Sequence, residues 1–224
     1  CAPLHFWLAR QPAVAVPAPA ATTAPLPEAG LLAGRQRRSA FTLMLIGFAI
    51  QGFTLSAVLL QMLQLLSGLG LGTSAVLIGS LFGPAQVLSR FVNMLFGRGL
   101  PQTWLAIVAA GLLPAGLLVL ALTTPAIAGA VLFAILFGLG SGLTSIVSGS
   151  LPLYLLGRKG YAARLGWLSA ARQIASAIAP FVLALAMGAF GIVPAIWLVV
   201  GVGLVAVLAF GIIAMLPAGV APER

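Results

Sequence analysis

Six long apolar runs dominate this chain, and the gaps between them alternate between basic and uncharged. Arg35, Arg37 and Arg38 precede the first run, while the gap after it, 67–72, carries no charge. Arg98 follows the second run, 123–125 is neutral, Arg158, Lys159 and Arg164 fill the next gap, and the turn near 190–194 is neutral again. Such alternation is the positive-inside pattern of a polytopic membrane protein. The runs cover residues 40–66, 73–96, 103–122, 126–156, 165–189 and 192–216. A hydrocarbon core about 30 Å thick needs about 20 helical residues at about 1.5 Å each, and every run is long enough. Barrel strands would be about ten residues long and alternate in polarity. The expected fold is therefore all-α, with the fourth helix kinked or ended near Pro152. The basic gaps place the N-terminal linker and the C-terminus in the cytoplasm, and the neutral turns outside the plasma membrane.

Apolar residues make up 62% of the chain and charged residues 6%. A soluble domain needs far more polar surface, so the lipid bilayer is the expected surroundings. The net charge of +9 is parcelled into short loops beside apolar segments. That placement fits anionic headgroups better than nucleic acid, and no nucleic-acid partner is expected. Cys1 is the sole cysteine, which leaves no intrachain disulfide and no cysteine metal cluster. No cofactor is expected either. A leading cysteine reads either as the acylated first residue of a mature lipoprotein or as a piece of a longer protein. The second reading is preferred; residues 1–8 are too short for a span and have no basic region ahead of them, so they are no signal peptide. Residues 1–10 are then the end of a preceding transmembrane helix. Pro12, Pro17, Pro19, Pro25 and Pro27 make residues 11–39 an extended cytoplasmic linker. Residues 40–216 form the six-helix domain and 217–224 a cytoplasmic tail.

Polar residues within the runs fall on faces. In the second run Gly79, Gly83, Gln86, Arg90, Asn93 and Gly97 alternate steps of four and three, one side of a helix. The first run has Gly47, Gln51, Thr54 and Gln61; the fourth has Gly138, Ser141, Ser145 and Ser148; the fifth has Ser169, Arg172, Gln173 and Ser176. The third and sixth lack such faces. For the pairs Gly79 with Gly83 and Gly138 with Gly142, helix packing is the simpler reading, since small residues let backbones approach. Gln51, Gln61, Gln86, Arg90, Asn93, Ser141, Ser148, Arg172 and Gln173 are candidates for a solute path. An arginine at mid-span costs about 2.5–3.5 kcal/mol on insertion scales. The only acidic residues are Glu28 and Glu223, outside every run. Arg90 and Arg172 therefore need backbone, water, a carboxylate from elsewhere or an anionic solute. Snorkelling of Arg90 to the surface is the structural alternative.

Enzyme chemistry has little to work with. The one histidine, His5, lies in the N-terminal tail, and no run holds a His or Lys to activate a serine. The glycine-rich stretch 138–142 lies inside an apolar run with no following lysine, unlike a nucleotide loop. No enzymatic activity is expected. The six runs divide into two triplets of opposite starting side, the layout of an inverted-topology repeat.

Three stretches carry a family resemblance: Cys1-Ala-Pro-Leu-His5, Leu81-Phe-Gly-Pro-Ala-Gln-Val-Leu-Ser-Arg90, and Gly149-Ser-Leu-Pro-Leu153 leading into Gly160-Tyr161. With the linker and six-run block, they resemble the C-terminal six-helix half of a bacterial permease of the major facilitator superfamily, over nearly the whole chain. The family's loop motif, Gly-x-x-x-Asp-Arg-x-Gly-Arg-Arg, is degraded here. Ser89 stands for the first Gly, Asn93 for the Asp, and Gly97-Arg98 for the last part, one residue out of register. Gln61 and Ser148 stand where members often carry ionisable residues. The resemblance implies a secondary transporter that moves a small organic solute, anionic in one version, by alternating access. It implies a missing N-terminal six-helix half as partner. It also implies that the first, second, fourth and fifth helices line the path and the third and sixth support them. From another class, a non-transporting six-helix membrane scaffold or assembly subunit also accounts for the sequence.

Overall fold

The computed structural model describes residues 30–32, 34–96 and 100–216. They form α1 (Gly34–Leu66), α2 (Ser74–Ser80), α3 (Phe82–Phe96), α4 (Gln102–Thr123), α5 (Ile127–Leu156), α6 (Tyr161–Phe190) and α7 (Ile192–Met215). Six helical segments among the described residues are long and apolar enough to cross a membrane, with α2 and α3 together making the second. The expected helix end at 1–10, most of the linker, the tail 217–224, and Gly97 and Arg98 of the loop motif lie outside the described residues.

Two helices start earlier than their apolar runs. α1 begins at Gly34, so Arg35–Arg38 form its first turns, where the Ser39 and Thr42 hydroxyls donate back to the Arg35 and Arg38 carbonyls. α6 begins at Tyr161, ahead of Leu165. Hydrophobicity marks where lipid begins, whereas helical hydrogen bonds run on into the polar interface. Pro152 does not end α5, which continues to Leu156. Its end is set instead by Gly157, at φ +73°, whose N–H caps the Leu153 carbonyl, because a left-handed residue stops a helix and glycine adopts it without strain. The break between α2 and α3 has a local cause. Pro84 has no N–H for the carbonyl of Ser80, and Leu81 tightens the turn by bonding to Ile78.

Helix packing runs in two rows. α3, α5, α1 and α6 are neighbours in that order, and α4 and α7 pack behind them. A glycine sits in every main seam. A methyl group at Gly138 or Gly142 would run into the α3 backbone, and one at Gly52 into Arg172 and Ser176 of α6. Gly47 faces the Phe210 ring of α7, Gly203 the ring of Pro114 in α4, and Gly116 and Gly140 close the α4/α5 seam. Lipid tails offer no hydrophobic drive to helix association, so such close backbone approach supplies the dispersion contact that holds the bundle. Gly83 has open space around it, and Gly79 meets only the Met62 sulfur. The expected packing pair Gly79/Gly83 thus does not form a close seam, since both glycines lie beside the inward face made by Ala75, Ile78, Ala85 and Ser89.

The two ends of the bundle differ in charge. Thr124 Oγ1 donates to the Leu69 carbonyl at 3.5 Å, and Gly68 abuts Ile192, which gathers three uncharged connections at one end. At the other, the Leu32 amide bonds to Leu155, Arg164 Nη1 donates to the Leu156 carbonyl at 3.0 Å, and Ser150 bonds to Gln102. Arg35, Arg37, Arg38, Arg158, Lys159 and Arg164 all belong to this second end. Large apolar side chains cover the flanks: Leu77 is 71% exposed and Met215 84%. A surface of that kind is an aggregation hazard in water and is at ease against acyl chains.

Candidate functional site

Two separate apolar clusters fill the interior. One holds Phe133, Phe137, Leu65, Leu117 and Val199 towards the uncharged end, and the other Met44, Phe48, Leu151 and Phe210 towards the basic end. Between them every long helix of the front row changes character. α1 passes from Phe48 to Leu55 through Gln51 and Thr54; α5 passes from Phe137 to Val147 through Ser141 and Thr144; α6 passes from Leu168 to Ala179 through Arg172 and Ser176. The result is a polar layer at mid-height. Gln51, Thr54, Ser141 and Thr144 are all buried in it.

Hydrogen bonds organise this layer along the seams. Gln86 Nε2 donates to Ser141 Oγ at 2.8 Å, Ser89 Oγ to the Leu139 carbonyl at 2.8 Å, and Arg90 Nη2 to Ser145 Oγ at 3.1 Å. Together they fasten α3 to α5. Gln51 Nε2 donates to Thr144 Oγ1 at 3.3 Å and ties α1 to α5. Ser148 donates to the Ser145 carbonyl and is half-buried. Two buried oxygens of the layer, Gln51 Oε1 and Thr54 Oγ1, have no partner among the described residues. Buried oxygens without donors are sites where a water or a solute N–H or O–H is stabilised.

The α1/α6 seam is built on a proline. Pro180 cannot donate to the carbonyl of Ser176, and Ser56 Oγ fills that gap at 2.7 Å. Gln61 Nε2 donates one turn away to the carbonyl of Pro180 itself at 3.2 Å. Ser56→Ala should therefore cost about 1 kcal/mol, because it leaves a carbonyl unpaired in the bundle. In a Pro180→Ala background the new N–H at position 180 serves Ser176, and the cost of Ser56→Ala should fall towards zero. A double-mutant cycle on detergent-solubilised protein, read by denaturant titration, checks this. Equal costs in both backgrounds would refute the proline-repair role of Ser56.

The two arginines differ. Arg90 is exposed and lies about 9 Å along α3 from its end at Phe96. Arg172 is half-buried, about 16 Å into α6, with its stem lying across Gly52. Among the described residues neither faces a carboxylate. Gln173, next to Arg172, is exposed. Asn93 parts company with Arg90: it lines an apolar cleft of about 580 Å³ between α3, α4 and α5, walled by Trp104, Leu112 and Leu143. Its Oδ1 is buried there with no partner among the described residues. The single face read from spacing meets two surroundings along its length: Gln86 and Arg90 bond to Ser141 and Ser145 of α5, and Asn93, nearer the end of α3, opens onto the cleft against α4.

Neither a family model nor a curated protein matches the chain. The site therefore stands on its own geometry. Among the described residues no three His, Cys, Asp or Glu side chains gather to hold a metal ion. Ser56 and Thr144 escaped the sequence reading, and Ser89 entered it only as a position of the degraded loop motif. For Ser56 a signal existed in the proline rule, because Pro180 announces a free carbonyl at Ser176. Which helix would supply the donor was not legible.

Proposed function

We propose that this chain is the C-terminal six-helix half of a secondary transporter of the major facilitator type, which moves a small organic solute, anionic by preference, by alternating access. The observation that carries this reading is the pattern of helix neighbours. Exchanging the first three membrane spans with the last three maps the α1/α6 seam onto the α3/α5 seam and the α1/α7 seam onto the α4/α5 seam. The α4/α7 seam maps onto itself, whereas the slighter α6/α7 contact has no comparable counterpart between α3 and α4. An inverted-topology repeat requires such self-mapping, and six-helix halves of this type place their substrate near the bilayer midplane between repeats.

Two further observations support it. The polar layer lies at mid-height on the front row, the row of the first, second, fourth and fifth spans. The second and fifth spans are the least covered, at 22% and 17% buried, which leaves their faces for a partner half. The segregation of charge supports the reading that the basic end faces the cytoplasm, by the positive-inside rule. On this basis Gln51, Gln86, Arg90 and Arg172 belong to the translocation path, and the bundle rocks as a body against its twin.

The scaffold reading keeps one observation in its favour: Gln51, Ser56, Gln61, Gln86 and Ser89 all spend donors on neighbouring helices. The coding DNA separates the two. An in-frame block upstream of Cys1 that encodes six further apolar spans is the expected finding. A start codon immediately before Cys1 would favour the scaffold.

A further inference from the structure

A cavity of about 780 Å³ opens at the basic end of the bundle, between the start of α1, the end of α5 and the start of α6. Arg37 and Arg38 reach it from α1, Lys159 from the connection and Arg164 from α6. No carboxylate exists among the described residues to offset them, because the chain's only acidic residues are Glu28 and Glu223. Four like charges around one space repel each other, and water alone screens them only partly at the edge of a low-dielectric slab. One of them is held in place: Arg164 Nη1 donates to the Leu156 carbonyl at 3.0 Å, at the negative end of α5. That bond fixes the guanidinium at the mouth of the cavity.

The rest of the lining is not polar. Phe41 and Leu156 form apolar wall, and Trp167 lies at the rim, 68% exposed on the flank of α6. A free inorganic anion would gain nothing from these groups. An amphiphile would use both parts, with its phosphate among the cations and its acyl chain along Phe41 and Trp167. Indole rings favour this depth of the membrane, and basic pockets between membrane helices hold anionic headgroups. Guanidinium groups also match phosphate oxygens in a bidentate fork, which favours a phosphodiester over a chloride.

We propose that this cavity is a binding site for the phosphate headgroup of an anionic membrane phospholipid, held by Arg37, Arg38, Lys159 and Arg164. The site is separate from the mid-height polar layer and does not depend on the transporter reading. Occupied, it would tie α1, α5 and α6 together where the first and fifth spans leave the membrane.

The test uses the full chain, purified in nonionic detergent and titrated with phosphatidylglycerol or phosphatidylcholine, with bound lipid counted by native mass spectrometry. Phosphatidylglycerol should bind roughly tenfold or more tighter than phosphatidylcholine. The triple change Arg37→Gln, Arg38→Gln and Lys159→Gln should weaken it roughly 100-fold, and Lys159→Gln alone roughly fivefold. Lys159 is exposed in a connection, so the single change serves if the triple variant loses its helical circular dichroism. Arg158→Gln, next in sequence but outside the lining, should change affinity less than about twofold. Equal affinity for the two lipids, or an equal loss with Arg158→Gln, would leave only diffuse surface attraction and overturn the site. Displacement of phosphatidylglycerol by millimolar inorganic phosphate would overturn the lipid in favour of a soluble anion.

Discussion

Gly142→Leu should loosen the bundle by about 2–3 kcal/mol, while the same change at Gly83 should stay within about 0.5 kcal/mol of neutral or slightly stabilise. Both glycines lie in a Gly-xxx-Gly spacing inside an apolar run, and sequence alone treats them alike. A Cβ at Gly142 would sit 2.5 Å from the backbone oxygen of Gln86 and 2.8 Å from Ser89 Cβ. Backbone cannot rotate aside as a side chain can, so α3 must move away from α5. That movement also stretches the bonds from Gln86 to Ser141 and from Ser89 to Leu139, and the penalty exceeds simple overpacking. At Gly83 there is nothing within 4 Å, and leucine is the better helix former. Denaturant titration of the solubilised variants, followed by tryptophan fluorescence and helical circular dichroism, measures both. Equal destabilisation at the two positions would mean that the α3/α5 seam is not where the structure puts it.

On the proposed transporter reading, Arg172→Ala should lower uptake of an anionic substrate roughly 10–100-fold, the value of one charge-assisted hydrogen bond. Arg172→Lys should fall between, because an ammonium keeps the charge and loses the guanidinium fork. The expectation follows from position: Arg172 is half-buried in the polar layer, its stem rests on Gly52, and no carboxylate stands among the described residues. Arg90→Ala should have the smaller effect. Its guanidinium is exposed, bonds to Ser145 and lies near enough to the end of α3 to reach interfacial water. Proteoliposome uptake over a panel of organic anions, with Arg158→Gln as control, reads this out. If every anion tried is carried unchanged by Arg172→Ala, the anion preference is gone.

Much of this architecture could be read from residue order. Spans 103–122 and 192–216 match α4 and α7 within one residue at each end, because a run that must satisfy its backbone inside lipid has no option but the helix. The starts of α1 and α6 were misplaced for a related reason: the water interface permits charged residues in a helix, so hydropathy stops before the hydrogen bonds do. The polar faces were visible as residue spacing, yet spacing does not say which neighbour a face meets. Gln86 and Asn93 share a stripe in sequence; one bonds to Ser141 and the other lines an apolar cleft against α4.

The order of residues by itself determined the solvent, the helical class and the segregation of charge, since each follows from local transfer free energies and from the need to pair every backbone group. Contacts between distant segments were decided only by the tertiary structure. Ser56 repairs the carbonyl that Pro180 leaves bare across 120 positions of sequence. Arg37 and Lys159 share a cavity although four membrane-length spans lie between them along the chain. Such pairings depend on which glycine lets which backbone approach, and that is a matter of shape in three dimensions rather than of composition along one.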